Sequence, residues 1–231
     1  MSNKNSWYSI QAVSADGDTP PSAAISISGV IGSDEVNSDK FASDLDALGD
    51  VSEIKLAIHS PGGDVMDGTR IYNKLVEHPA KVRARVEGLA ASMGSVILMA
   101  ADEIEMPENT FLMIHNPHCI AAGDAKEMLN TAQTLESVQE SIVSAYEKRT
   151  GLPREEIQSM MDREAWIPAA EAKEKGFADT VTDSYKIAAL AEDWKGILPN
   201  TLPNGLVFGT PKPEAKTKPE PKPTPKNHTP T

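Results

Sequence analysis

The chain has one cysteine, Cys119, in 231 residues. That count excludes an intrachain disulfide and rules out a thiolate metal cluster without other ligands; the residue reads as a small buried side chain. No run of 18 apolar residues is present, so no membrane span is expected. The start, Met1 to Tyr8, holds Lys4 but no apolar stretch after it. Neither a signal peptide nor an anchor is therefore expected, and the cytoplasm is the default compartment. Positive charge is scarce outside the last segment. Residues 211–231 carry five lysines and two glutamates, a local +3 that leaves −15 of the total −12 to the rest. An acidic body of that kind is a poor partner for nucleic acid. Internal repeats are absent too, which excludes a solenoid.

What is present is enough apolar sequence, 39%, for one sizeable core. Residues 1–23 read as a short strand at Trp7 to Val13 and a loop containing Gly17, Pro20 and Pro21. Residues 24–200 hold the core. Residues 201–231 alternate proline with charge and read as an extended, disordered tail, either a solvated leftover or a tether. Within the core, strand patterns at Ala24 to Ile31, Ile54 to Ile58 and Val82 to Val86 alternate with helical ones at Ser38 to Leu48 and Met66 to His78. A helix from Ser92 and strands at Glu103 to Met106 and Thr110 to Ile114 follow. This is the signature of an α/β fold built from parallel βαβ units. A long helix then opens with the capping pair Asp124 and Glu127 and ends near Gly151. Met128, Ala132, Leu135, Val138, Ile142 and Ala145 make one apolar stripe on it. A rod so long in a small domain is expected to project and to need a second subunit against its stripe. Pro153 opens a short helix through about Met161.

Ser92 lies in Gly88-Leu89-Ala90-Ala91-Ser92-Met93-Gly94-Ser95, where a strand gives way to a helix. A serine flanked by small residues at such a turn is how α/β folds expose a nucleophile. Its hydroxyl needs a base, and His115 closes a later strand. His59, His78, His118 and His228 compete for that role. A tetrahedral intermediate needs two fixed donors, and the amides of Gly63, in His59-Ser60-Pro61-Gly62-Gly63-Asp64, and of Met93 are a plausible pair. Glu164, in Asp162-Arg163-Glu164-Ala165-Trp166, is a candidate acid. Asp162 is its rival, since the two share a face in an extended segment. Asp179 reads as a structural cap.

The ordered set Ser60-Pro61-Gly62-Gly63, Ala90-Ala91-Ser92-Met93-Gly94, Met113-Ile114-His115-Asn116-Pro117, the long helix, Glu171-Ala172 and Gly176-Phe177-Ala178-Asp179 resembles the Clp protease proteolytic subunit family. The resemblance covers about residues 24–183. It implies a crotonase-like spiral of βαβ units with the long helix as a projecting handle, within a protease domain at 24–200. It also implies a Ser-His-acid triad on Ser92, His115 and Glu164, with Gly63 and Met93 on the oxyanion-hole positions and Asp162 as the alternative acid. No cofactor or metal is implied. Self-association into heptameric rings, stacked in pairs, follows from the same resemblance. Glutamate in place of aspartate and the His-Ser-Pro-Gly-Gly form are similar to the phage and prophage branch. That resemblance implies cleavage of capsid or scaffold protein, inside a prohead in the host cytoplasm. The region before residue 24 is unlike the family's ATPase-docking segment, which leaves an ATPase partner open. The alternatives are a housekeeping subunit working with an ATPase, a silent assembly scaffold, a CoA-using crotonase-type enzyme, and a Ser-Lys peptidase on the same fold.

Overall fold

The computed structural model describes residues 6–13, 21–32 and 37–183. The expected tail, His228, the loop at 14–20 and the core boundary at 200 lie outside these residues or on their edge. Among the described residues no helix is long and apolar enough to cross a membrane.

Alternating apolar residues on three parallel strands build the centre. Ala23, Ile25 and Ile27 of β2 (Ser22–Ile31), Ile54, Leu56 and Ile58 of β3 (Glu53–Gly63), and Val82, Ala84 and Val86 of β4 (Lys81–Ala91) are all buried on one face. Phe41 and Leu45 of α1 (Ser38–Asp46) and Ile71 and Leu75 of α2 (Val65–Glu77) belong to the same cluster. The other face presents Lys55, Arg83 and Arg85, and ion pairs such as Arg83 with Glu53 lie across neighbouring strands. Strand β1 (Tyr8–Val13) adds antiparallel to β2, so the sheet is mixed rather than purely parallel. Its anchor is aromatic: Trp7 and Tyr8 are buried against Phe41.

The site depends on how β4 divides its partners. Arg83–Arg85 pair with β5 (Glu103–Pro107), whereas Leu89–Ala91 pair in parallel with β6 (Phe111–Ile114). Both β3 and β4 run further than the sequence pattern indicates. The glycine segment after Ile58 continues as strand to Gly63, and β4 continues to Ala91, so the strand-to-helix turn before α3 (Met93–Leu98) shrinks to Ser92 alone. After β6 come α4 (Ala125–Thr150), α5 (Arg154–Asp162), β7 (Ala165–Pro168), α6 (Ala169–Glu174) and β8 (Thr180–Thr182). The pattern does not single out β7, α6 or β8, because four, six and three residues are too short for a period to register.

Helix α4 is 26 residues long, about 39 Å at 1.5 Å per residue. Asp124 and Glu127 form a reciprocal capping box, and Gly151 closes the helix at φ 71°. Ile142, Val143, Ala145 and Tyr146 anchor its second half in the core, while every residue from 118 to 130 is exposed. The expected stripe is thus buried only at its C-terminal end. Met128, Leu129 and Ala132 face solvent, and Leu135 and Val138 are half-buried.

Candidate active site

The ends of three neighbouring strands bring Ser92, His115 and Glu164 together. Ala91 of β4 is in register with Met113 of β6, so Ser92 and His115 follow adjacent parallel strands at their carboxyl ends. β6 pairs antiparallel with β7, Ile114 opposite Ala165, and Glu164, the residue before β7, lies near enough to His115 to act on its charge. The Ser92 Oγ and His115 Nε2 atoms are 2.8 Å apart.

Ser92 sits at φ 52° and ψ −126°, a conformation that costs a non-glycine residue about 1–3 kcal/mol. Its own amide donates to the Met113 carbonyl at 2.9 Å, and its carbonyl accepts from the Ser95 and Val96 amides. Met93 is the first residue of α3, so its N–H has no acceptor within its own helix. Gly62 and Gly63 do not form a loop. They extend β3 beside Val30 and Ile31 at φ 100° and 151°. A Cβ on Gly62 would lie 2.6 Å from Ser92 Cβ, and one on Gly63 would lie 2.1 Å from the Ile31 carbonyl oxygen. Glycine is needed at both for close approach as well as for backbone conformation.

His115 is buried, and burial first, then the neighbouring His118, pushes its pKa below the ordinary value, with Glu164 pulling the other way. The ring is therefore neutral at pH 7, as a general base must be. The tautomer with its proton on Nδ1 is the one that lets Nε2 accept from Ser92. The other histidines are placed elsewhere. His59 lies on the opposite face of β3, where Glu87 acts on it, and His78 caps α2, its Nδ1 accepting from the Ala80 amide. His118 meets the His115 ring edge to face at 5.3 Å from an exposed loop.

Asp162 does not share a face with Glu164. It ends α5, and the chain turns through Arg163 into the left-handed backbone of Glu164 at φ 50°. The Asp162 carboxylate instead accepts from the Asn116 side-chain amide at 2.8 Å, clasping the residue after His115. Asp179 accepts from the Ile104 amide at 2.6 Å and pairs with Arg149, which ties β5 to α4. Cys119 is exposed, contrary to the expectation of burial, in the stretch from His118 to Asp124 where every residue of the connection from β6 to α4 faces solvent. Sequence reasoning placed Ser60 and Asn116 inside motifs but gave neither a contact of its own. Ser60 Oγ donates to the Gly29 carbonyl and accepts from the Gly62 amide, bracing the glycine segment. No periodicity marks such a contact; the only signal is a polar residue beside a Pro-Gly-Gly run.

The Clp protease family matches residues 24–185. The proteolytic subunit of the ATP-dependent Clp protease from Deinococcus radiodurans is 33% identical over 145 residues, covering 62% of this chain and 71% of its own. The chloroplastic subunit 3 of Arabidopsis thaliana is 35% identical over 158 residues, covering 67% of this chain; the chain spans about half of that relative's length, 51%. The subunit from Pleurastrum terricola is 33% identical over 135 residues, 57% of this chain and 68% of its own. A family match that runs from within β2 to beyond β8 shows that the chain belongs to the Clp protease family of serine-type peptidases.

Proposed function

We propose that the chain is an endopeptidase working through an acyl-enzyme on Ser92. The observation that carries this reading is the 2.8 Å contact between Ser92 Oγ and His115 Nε2 at a left-handed turn. His115 Nε2 takes the hydroxyl proton as Oγ attacks a peptide carbonyl. The amides of Gly63 and Met93 hold the resulting oxyanion, a function worth roughly 3 kcal/mol per donor. Nε2 then returns the proton to the departing amine, leaving an ester on Ser92. Water, losing a proton to the same nitrogen, attacks the ester and restores the serine. Glu164 stabilises the imidazolium and fixes the tautomer. An extended substrate adds as a strand beside the site, so main-chain bonds give affinity with modest side-chain selectivity.

The physiological substrate in this reading is phage capsid or scaffold protein, cleaved in the host cytoplasm within rings of seven subunits stacked through the exposed half of α4. Glu164 and the His59-Ser60-Pro61-Gly62-Gly63 sequence favour it. The printed names of the relatives, ATP-dependent Clp protease subunits, favour a second reading in which an ATPase feeds the chamber.

Intact mass after exposure to a fluorophosphonate tests the chemistry. One adduct is expected on the parent and on Asp162→Asn and none on Ser92→Ala, with Glu164→Gln reacting a hundredfold or more slowly, on the order of other triad acids. Absence of an adduct on the parent would leave a silent scaffold or a CoA-using enzyme. A normal Glu164→Gln rate beside a slow Asp162→Asn would move the acid to Asp162. Co-incubation with scaffold or capsid protein, without any ATPase, separates the two substrates: cleavage only with a host unfoldase sinks the phage reading.

A further inference from the structure

Ser95 is fully buried one turn inside α3, and the mechanism above does not use it. Its Oγ lies 2.6 Å from the Ser92 carbonyl oxygen, 3.1 Å from that of Met113 and 2.8 Å from the Tyr146 hydroxyl. The two carbonyls only accept, so the single proton of Ser95 is directed to them. With the Ser95 proton on the closer Ser92 carbonyl, the Tyr146 hydroxyl donates to Ser95, and burial, which raises its phenol pKa, keeps it protonated. Tyr146 is 1% exposed and stands on α4, with its ring edge against Phe177 at 5.8 Å. The hydrogen bonds thus run one way, from Tyr146 to Ser95 to the Ser92 carbonyl, in a dry interior where each polarises the next.

That carbonyl belongs to the same peptide unit as the Met93 N–H. In a trans peptide the two bonds point in opposite directions. The Ser95 hydroxyl and the Ser95 and Val96 amides all hold the oxygen on the core side. The Met93 N–H is thereby aimed out of the core. We propose that Tyr146 and Ser95 are positioning residues that orient the Ser92–Met93 peptide, setting both the left-handed turn of the nucleophile and the direction of the Met93 donor. The proposal rests on the reading of Ser92 as nucleophile and Met93 as oxyanion donor. It gives α4 a direct mechanical connection to the reacting turn across 51 positions of sequence.

The test compares the parent, Tyr146→Phe, Ser95→Ala and the double variant, by the rate constant of fluorophosphonate labelling and by amide hydrogen exchange of residues 92–96. Tyr146→Phe keeps the ring and its packing on Phe177. It is expected to slow labelling about five- to tenfold, the effect of one neutral hydrogen bond, with the labelled fraction complete and the pH midpoint unmoved. A loss of fold would lower the labelled fraction instead. Because Tyr146 acts through Ser95, the double variant should be no slower than Ser95→Ala. A parent-like rate in Tyr146→Phe, or factors that multiply in the double variant, would overturn the proposal. A parent that does not label removes Ser92 as nucleophile, and exchange then decides separately. Faster exchange of the Ser95 and Val96 amides in Tyr146→Phe upholds the hydrogen-bond chain, and unchanged exchange overturns it.

Discussion

At the scale of single residues, burial governs the site's proton chemistry. His59, His78 and His115 all have pKa values lowered from the ordinary imidazole value, with burial the largest cause for each. A histidine that binds protons less well folded than unfolded favours the native state most above its unfolded pKa, near 6.5. That contribution is lost as pH falls through the depressed folded value. Melting temperature should therefore be flat above about pH 7 and decline toward pH 5. Labelling of Ser92 should follow the neutral form of His115 and reach half its maximum below pH 6.5. A midpoint above 6.5 would mean that the attraction of Glu164 outweighs burial. Glu164 itself occupies a left-handed conformation more usual for asparagine or aspartate. The tertiary pairing of β6 with β7 holds it there.

At the scale of elements, the close approach of β3 to the turn after β4 is the tightest constraint. Gly62→Ala would combine strain at φ 100° with a methyl 2.6 Å from Ser92 Cβ. The expected loss is about 2–4 kcal/mol in urea denaturation, together with most of the labelling rate. Gly49→Ala serves as the control, since φ is 66° there and nothing lies within 4 Å. It should cost only about 1 kcal/mol and leave labelling intact. Equal losses at the two positions would mean that backbone strain alone, and not contact with Ser92, makes glycine necessary. The capping box and stripe of α4 were legible in the sequence because a 26-residue helix repeats its pattern many times. That the turn at Ser92 is a single residue was not, since pairing with β6 extends β4 through Leu89–Ala91, beyond the strand pattern that ends at Val86.

At the scale of the molecule, the half of α4 that stands clear of the core carries Met128 at 38% and Leu129 at 66% exposure. Exposed apolar residues on an unpartnered helix fit burial against another copy, as the ring proposal requires. Leu129→Glu should shift sedimentation velocity toward smaller species while leaving the melting temperature at high dilution within a degree or so, because nothing in the core touches it. An unchanged sedimentation profile would exclude this stretch from the interface. The solvent face of the sheet carries ion pairs among Arg83, Glu53 and Glu103.

By itself the sequence determined what local order encodes: alternating strands, the capped helix, and a serine between small residues where a strand meets a helix. These depend on neighbours within a few positions, where periodicity and turn chemistry act. Tertiary structure decided which strand ends lie side by side. It brought Glu164 near enough to His115 to act on its charge and engaged Asp162 with Asn116. It also joined Tyr146 to Ser95. Each of these joins residues 46 to 51 positions apart. Pairing across such distances follows from sheet register and helix packing, which no short window of sequence contains.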